Sequence, residues 1–212
     1  MRVELIKSYG VKFVIKQNME KLLEQIKEFA DKAHDDQKRK YTAERYIVHP
    51  VRVMKMCRRY TSSMPVLAAA LLHDVVEDTD VRRSEMHNFL STVMSEKDAA
   101  QTTHLVAELT DVYTKSSYPR WNRRKRKAKE AERIEKTSAD SQTIKYADII
   151  DNSKEIATED PDFAGVFLRE CKMLLKKISK GNADLYKEAI VTVEECLGKV
   201  AEKERKYKRQ IF

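Results

Sequence analysis

Residues 66–79 read Val66-Leu67-Ala68-Ala69-Ala70-Leu71-Leu72-His73-Asp74-Val75-Val76-Glu77-Asp78-Thr79, and this stretch says more about the architecture than any other. Its first seven side chains are all apolar, so every face of a helix built from them would avoid water. We therefore predict a fully buried central helix. It begins at Ser63-Met64-Pro65, because proline is well tolerated in a first helical turn.

The acids that follow this helix are costly where they stand. The negative end of the helix dipole disfavours each by about 0.3–1 kcal/mol, and burial raises that cost unless a cation pairs with them. A divalent metal is the simplest such cation. His73 and Asp74 are about 100° apart on a helix, so both can reach one ion. Glu77 and Asp78 lie one turn further on, near bound water.

Two more positions can complete such a site. His49 precedes Pro50 at a predicted helix start, and Asp148 lies on a predicted helix over residues 140–155, with Asn152 one turn on. A mixed histidine and carboxylate set with open positions suits hydrolytic chemistry with Mn²⁺, Fe²⁺ or Zn²⁺. Each of these residues alone is more often structural, so the prediction depends on the joint pattern.

The rest of the chain is typical of an all-α bundle. Glycine and proline are scarce, four of each, and apolar residues recur at helical spacing. A short β-hairpin is considered only for residues 3–15. We divide the chain into an N-terminal extension, 1–16, and one helical domain, 17–212. The spacing of the three cysteines favours buried thiols. Because no apolar run approaches the ~18 residues of a membrane helix, we expect a cytoplasmic protein without membrane contact.

Positive charge is concentrated between residues 115 and 136. This basic segment holds ten Lys/Arg against three Glu, so it carries +7 of the formal net charge of +8. A local basic surface indicates an anionic partner, such as a polyphosphate nucleotide, a nucleic acid or a phospholipid surface. A solvated helix face explains such a charge run equally well.

Four segments resemble, in order and approximate spacing, the hydrolase domain of the RelA/SpoT alarmone enzymes, which is an HD domain. They are His34-x-x-Gln37-x-Arg39, Tyr46-Ile47-x-His49-Pro50, Ala69 to Thr79, and Lys145-x-Ala147-Asp148-x-x-x-Asn152. The His-Asp-x-x-Glu-Asp-Thr block after an Ala/Leu-rich helix is the most specific part. In size the chain is similar to the small alarmone hydrolases, including the metazoan SpoT homologue, and it is too short to add the family's synthetase domain.

The resemblance implies an HD-type helical bundle and hydrolysis of the 3′-pyrophosphate of (p)ppGpp, giving GDP or GTP and pyrophosphate. It implies that one Mn²⁺ would be bound by His49, His73, Asp74 and Asp148. Glu77 and Asp78 would position and deprotonate the attacking water.

The resemblance also implies roles at the substrate. Arg39 would contact the purine, Asn152 would hold the ribose, and Lys145 would also bind substrate. The charge pattern adds candidates that would neutralise the pyrophosphate, namely Arg123, Arg124, Lys125 and Lys127.

Departures from the family pattern leave the substrate open. The usual Gly- and Pro-bearing loop is here Lys40-Tyr41-Thr42-Ala43-Glu44-Arg45, and Asp151 stands where His or Tyr is usual. Because that loop borders the base pocket, the same chemistry on ppApp or on a phosphate of NADPH is an alternative. A non-catalytic nucleotide- or nucleic-acid-binding protein is another, although nucleic acid would leave the acids near His73 without a purpose. A homo-oligomer or a toxic alarmone synthetase also stays open as a partner.

Overall fold

A computed structural model describes the backbone of residues 2–211 and the side chains of residues 17–203, 205 and 206. This part of the chain contains nine helices of two turns or more and one helix of a single turn. They are α1 (Arg2–His34), α2 (Val48–Arg58), α3 (Met64–Leu72), α4 (Val75–Asp78), α5 (Arg83–Val93), α6 (Glu96–Leu109), α7 (Arg123–Ile134), α8 (Ala139–Glu159), α9 (Pro161–Leu175) and α10 (Ala183–Ile211). An isolated antiparallel bridge between Lys38 and Arg45 is the only β pairing among the described residues.

The all-α prediction is confirmed, but the hairpin considered for residues 3–15 is not found. These residues form the first part of α1, which continues without a break to His34. A two-stranded hairpin without a third strand is marginally stable in water. The single Gly10 that suggested its turn costs a helix only about 1 kcal/mol. The boundary placed after residue 16 falls inside α1 and stays a prediction.

The predicted central helix is α3, and every residue from Pro65 to Leu72 is buried. It packs against α1, α2, α6 and α8. Full burial of a leucine side chain stabilises a fold by roughly 1.5–3 kcal/mol, so this short helix anchors the core. The helix ends at Leu72, so His73 and Asp74 lie just beyond its last turn. The backbone carbonyl oxygen of Asp74 then accepts the N–H of Asp78 at 2.8 Å, and this bond starts the single turn α4.

Helix α8 is the second central element, and α9 and α10 pack against it. The Ser138 hydroxyl caps its start by accepting the N–H of Ser141. Ser95 and Asn182 cap α6 and α10, since their side chains accept backbone N–H groups of those helices. Helix α5 begins at Arg83, where the Glu85 carboxylate accepts the N–H of Arg82.

No helix in the described part of the chain is long and apolar enough to cross a membrane.

All three cysteines are free and buried, as predicted. Burial raises the pKa of both Cys57 and Cys171 to about 12, so these thiols stay protonated at neutral pH.

Candidate metal centre

Three helices bring one cluster of possible metal ligands together. His49 comes from α2, His73 and Asp74 from the end of α3, and ligand atoms of these three lie within 4.8 Å of one another. Asp148 of α8 closes the group, because its Oδ1 is 3.3 Å from Nε2 of His49 and 3.8 Å from Nε2 of His73. The structure therefore places all four predicted ligands in one cluster.

The two imidazoles are oriented for metal binding. Nδ1 of His49 lies 2.7 Å from Asp151 Oδ2, and Nδ1 of His73 lies 3.0 Å from the carbonyl oxygen of Ala70. These acceptors hold the proton on Nδ1, which leaves the Nε2 lone pairs facing the cluster. Both Nε2 atoms are buried and make no hydrogen bond. A buried polar atom without a partner is costly, and a metal ion would remove that cost.

Charge in the cluster favours a cation. Burial lowers the pKa of His49, but the acceptors Asp148 and Asp151 and the charge of Asp74 outweigh it and raise the pKa to about 9. Burial raises the pKa of Asp148, yet Lys145 and the two histidines hold it well below its usual value. An ionised, buried carboxylate beside two imidazoles is a donor set that Mn²⁺, Fe²⁺ or Zn²⁺ would accept. The residues present therefore fit a divalent ion.

Asp148 is held by two neighbours on its own helix. Lys145 Nζ lies 2.8 Å from its Oδ2, and Asn152 Nδ2 donates to its Oδ1 at 2.5 Å. Both partners were predicted as substrate-binding residues. In the structure they fix the orientation of a predicted metal ligand, which is a role that sequence spacing did not indicate.

Tyr46 connects the cluster to the predicted catalytic pair. Its hydroxyl lies 2.7 Å from Asp74 Oδ2 and 2.8 Å from Asp78 Oδ2. Burial and these two carboxylates raise the pKa of Tyr46, so the group remains a hydrogen-bond donor. The sequence motif that contains His49 also contains Tyr46, but the motif gave Tyr46 no role. Its fixed position three residues before His49 was the available signal.

Glu77 is positioned from the loop that follows α6. The backbone N–H of Asp111 donates to Glu77 Oε2 at 2.8 Å. Desolvation in the site and the charge of Asp111 raise the pKa of Glu77 to about 7. Burial raises the pKa of Asp111, but the charges of Lys145 and Lys127 outweigh it and lower that pKa overall. Asp111 lies outside the sequence motifs that predicted the site.

A cavity of about 240 Å³ opens from the cluster. Its metal side includes Tyr46, His73, Asp74, Glu77, Asp148 and Asn152. Its opposite side, which we call the α7–α9 wall, consists of the lining residues of those two helices: Lys127, Glu130, Ala131, Ile134, Phe167, Glu170, Cys171, Met173 and Leu174. The site is thus a cleft with a polar metal side and a wall rich in apolar groups.

The predicted pyrophosphate-binding cations are largely engaged elsewhere. Arg123 donates two hydrogen bonds to Glu170, at 2.8 and 2.7 Å. Lys127 lines the cavity, but its Nζ pairs with Asp111 at 2.9 Å. Arg124 is exposed and outside the residues that line the cavity. Lys125 lies 4.2 Å over the ring of Trp121.

Arg39 also has partners in the chain. Its Nε donates to Glu155 at 3.0 Å, its Nη2 donates to Asn152 at 2.8 Å, and its guanidinium lies 5.4 Å from the ring centre of Tyr46. The side chains of Arg39 and Glu155 are only 9% and 11% exposed. Arg39 is absent from the cavity lining, so its predicted contact with a purine stays a prediction.

Comparison with known proteins identifies the family. A family model described as an HD domain matches residues 27–172. The chain belongs to the HD-domain family. The match takes in every residue of the cluster, from His49 to Asp148, together with Glu77 and Asp78.

Several relatives of this HD-domain protein are named as guanosine-3′,5′-bis(diphosphate) 3′-pyrophosphohydrolases. A guanosine-3′,5′-bis(diphosphate) 3′-pyrophosphohydrolase from Aquifex aeolicus is 31% identical over 75% of this chain, which spans only 20% of that protein's length. The human protein of the same name, MESH1, is 30% identical over 64% of this chain and 69% of its own length. The aligned part of the chain spans 20% of the Aquifex protein and 9% of a relative from Vibrio cholerae. It is therefore an HD-domain protein related, at about 30% identity, to proteins named as ppGpp hydrolases.

A solved structure agrees with this relationship. The structure titled a metazoan ortholog of SpoT that hydrolyses ppGpp and plays a role in starvation responses superposes with a TM-score of 0.67 and 26% identity. The superposition covers 82% of this chain and 93% of the other. A Listeria monocytogenes structure with a TM-score of 0.53 and 21% identity shares the fold alone.

Proposed function

We propose that this HD-domain protein hydrolyses the 3′-pyrophosphate of (p)ppGpp in a Mn²⁺-dependent reaction. The observation that carries the proposal is the pair of buried, unpartnered Nε2 atoms of His49 and His73 beside Asp74 and Asp148. Glu77 and Asp78 lie on the next turn, and relatives at about 30% identity are named as hydrolases of this substrate.

His49, His73, Asp74 and Asp148 would hold the ion. A divalent ion supplies a Lewis acid that activates water and polarises a phosphoryl oxygen. The choice of Mn²⁺ rests on the family resemblance, since the donor set also suits Fe²⁺ and Zn²⁺. Asp151 keeps Nδ1 of His49 protonated, and Ala70 does the same for His73, so both rings present Nε2 to the ion.

Glu77 and Asp78 would handle the protons. With its pKa near 7, Glu77 can accept a proton from the attacking water and later return it at neutral pH. The N–H of Asp111 fixes the Glu77 carboxylate, and the Tyr46 hydroxyl does the same for Asp78. Two oriented carboxylates beside one metal cluster are an arrangement suited to phosphoester hydrolysis.

The remaining residues would bind the nucleotide. Asn152 and Lys145 line the cavity beside Asp148, where the ribose and the scissile phosphate would lie. Lys127 is the basic-segment residue that reaches the cavity, so it is the first candidate for the pyrophosphate. Arg123 and Arg124 remain candidates for that role if Arg123 releases Glu170.

The test measures pyrophosphate release from ppGpp and ppApp and orthophosphate release from NADPH, each with Mn²⁺ and with a chelator. We expect Mn²⁺-dependent conversion of ppGpp to GDP, well above the other two, and loss of activity in Asp74→Asn. His104→Ala is the matched control, because this histidine is exposed on α6 and lies outside the cavity. Preference for ppApp or NADPH would move the substrate but keep the chemistry. No turnover of any of the three, with Mn²⁺ bound, would refute the proposal.

A further inference from the structure

Three aromatic side chains form a cluster between α6 and α7, apart from the hydrophobic core. The ring centres of Tyr113 and Tyr118 are 5.0 Å apart, and the ring centre of Trp121 lies 5.9 Å from the first and 4.6 Å from the second. Each of the three residues is partly exposed, and none packs against the hydrophobic core of the described residues. Aromatic rings usually stabilise a fold through burial in its core, so core packing does not explain this cluster.

The segment that carries these rings has a defined shape. The Thr114 hydroxyl accepts the N–H of Ser117 at 3.1 Å, and the carbonyl oxygen of Tyr118 accepts the N–H of Trp121 at 3.1 Å. The Arg126 guanidinium donates to the carbonyl oxygen of Trp121, which ties the segment to α7. A ligand that binds the rings would therefore not have to order them first, and this lowers the entropic cost of binding.

Cations without acidic partners lie on the same segment. Lys115, Arg120 and Lys125 are exposed and form no ion pair with any described side chain. They are distinct from the four cations of the basic segment that pair with carboxylates. The ammonium group of Lys125 lies 4.2 Å from the centre of the Trp121 ring, so a free cation and an aromatic face share one surface. We call these three rings and three cations the aromatic–basic surface.

The aromatic–basic surface is separate from the catalytic cavity, because none of its six residues lines that cavity. Aromatic rings beside free cations match a single-stranded nucleic acid, whose bases stack on the rings while its phosphates meet the cations. A duplex matches less well, since its bases are already stacked on one another and are not available to the rings.

We propose that the aromatic–basic surface binds single-stranded nucleic acid. Bases stack on the exposed parts of Tyr113, Tyr118 and Trp121, and phosphates contact Lys115, Arg120 and Lys125. The surface acts beside the metal cluster and independently of it, so the acids near His73 keep their role at the ion.

The first experiment uses the chain's single tryptophan, Trp121, as the probe. An oligouridylate and an oligothymidylate are each titrated into the whole chain, once with Mn²⁺ and once with a chelator, while tryptophan fluorescence is recorded. We expect quenching in both buffers, because a base stacked on the indole quenches its emission, and the stronger of the two ligands identifies RNA or DNA. Quenching that needs Mn²⁺ would place the nucleic acid at the metal cluster and overturn the inference. Quenching by anionic phospholipid vesicles but by neither oligonucleotide would also overturn it.

Variants separate stacking from charge, with binding followed by the anisotropy of a labelled oligouridylate. Trp121→Ala should weaken binding about tenfold or more, whereas Trp121→Phe, which keeps a ring, should stay within about threefold of the wild type. Equal affinities in these two variants would contradict a stacking role.

The charge variants remove no ring, so they decide the question even if Trp121→Ala loosens the fold. Arg120→Ala should reduce the slope of log affinity against log salt concentration by about 0.7, the loss of one phosphate contact on a single strand. Lys97→Ala is the matched control, because it removes an exposed cation from the first turn of α6, at the end remote from Tyr113. It should leave the slope unchanged. The same slope in both variants would refute the inference. Since these titrations need no turnover, they are independent of the proposed hydrolysis.

Discussion

The metal cluster and the basic segment both contain several charged side chains, but they differ in whether their polar groups have partners. Residues 115–136 carry most of the net charge, and four of their ten cations pair with Glu170, Asp111, Glu132 and Glu130. The cluster holds fewer charges, but two buried imidazole nitrogens have no hydrogen bond. An unsatisfied buried atom therefore points to a ligand more directly than an excess of charge does.

Removing a cluster ligand gives the largest expected effect. Asp74→Ala deletes a carboxylate that neighbours both Nε2 atoms, so we expect metal binding to be lost and kcat/KM to fall about a thousandfold, or about 4 kcal/mol. The measurements are Mn²⁺ binding by calorimetry and pyrophosphate release. Stoichiometric Mn²⁺ binding by this variant would show that Asp74 is not needed to hold the ion.

A change in the proposed catalytic pair, Glu77 and Asp78, should affect turnover without affecting metal binding. In Glu77→Gln the side chain can still accept the N–H of Asp111, but it can no longer take a proton, so kcat should fall by about 10²–10⁴-fold. Mn²⁺ affinity and the melting temperature should stay near those of the wild type. Full activity in this variant would show that Glu77 is not the base.

Asp151 tests whether a residue that contacts a candidate ligand, rather than the ion, affects metal binding. It touches His49 Nδ1 at 2.7 Å and does not belong to the predicted ligand set. Asp151→Asn keeps the shape but weakens the hold on that proton, so we expect Mn²⁺ affinity to fall about 10–100-fold. Calorimetric titration measures this directly, with Asp162→Asn, an exposed change on α9, as the control. Equal affinities in the two variants would mean that Asp151 has no part in metal binding.

The basic segment should give the smallest effect. The Arg123–Glu170 pair is partly exposed, and such pairs stabilise a fold by about 0.2–1 kcal/mol. We expect a double-mutant cycle of Arg123→Ala and Glu170→Ala to give a coupling in that range, and Arg123→Ala to change kcat/KM less than threefold. A hundredfold loss of kcat/KM would instead place Arg123 on the pyrophosphate and undo the contrast between the two regions.

Much of the fold, and part of the candidate ligand cluster, could be predicted because both depend on local pattern. The apolar run of α3 specifies burial by composition alone, and the His73-Asp74 pair is fixed by its place at the end of that run. His49 and Asp148 were candidates from residue type, and only the family resemblance joined them to His73 and Asp74, since nothing local says that α2 and α8 meet there. The hairpin considered for residues 3–15 was wrong because a weak alternation of apolar residues does not specify any further strand with which a hairpin could pair.

The groups that orient the site were beyond local pattern. Asp111 reaches Glu77 across 34 positions, and Asp151 reaches His49 across 102. Tyr46 meets Asp74 and Asp78 through a fold in the chain that no spacing rule describes. The ion pairs of the basic segment could not be predicted either. A count of charges does not distinguish a solvated lysine from one that pairs with Asp111, as Lys127 does.

The ligands of the cluster are separated by long stretches of sequence, from His49 on α2 to Asp148 on α8. An ion held there acts as a reversible cross-link that closes a loop of about 100 residues, and closing a loop of that length restricts the unfolded chain by about 4.7 kcal/mol in the chain-entropy model. Only a chain in which α2, α3 and α8 have already docked offers all four donors. Metal binding would therefore be restricted to molecules in which these three helices have already packed together. An ion bound at that stage would stabilise their packing.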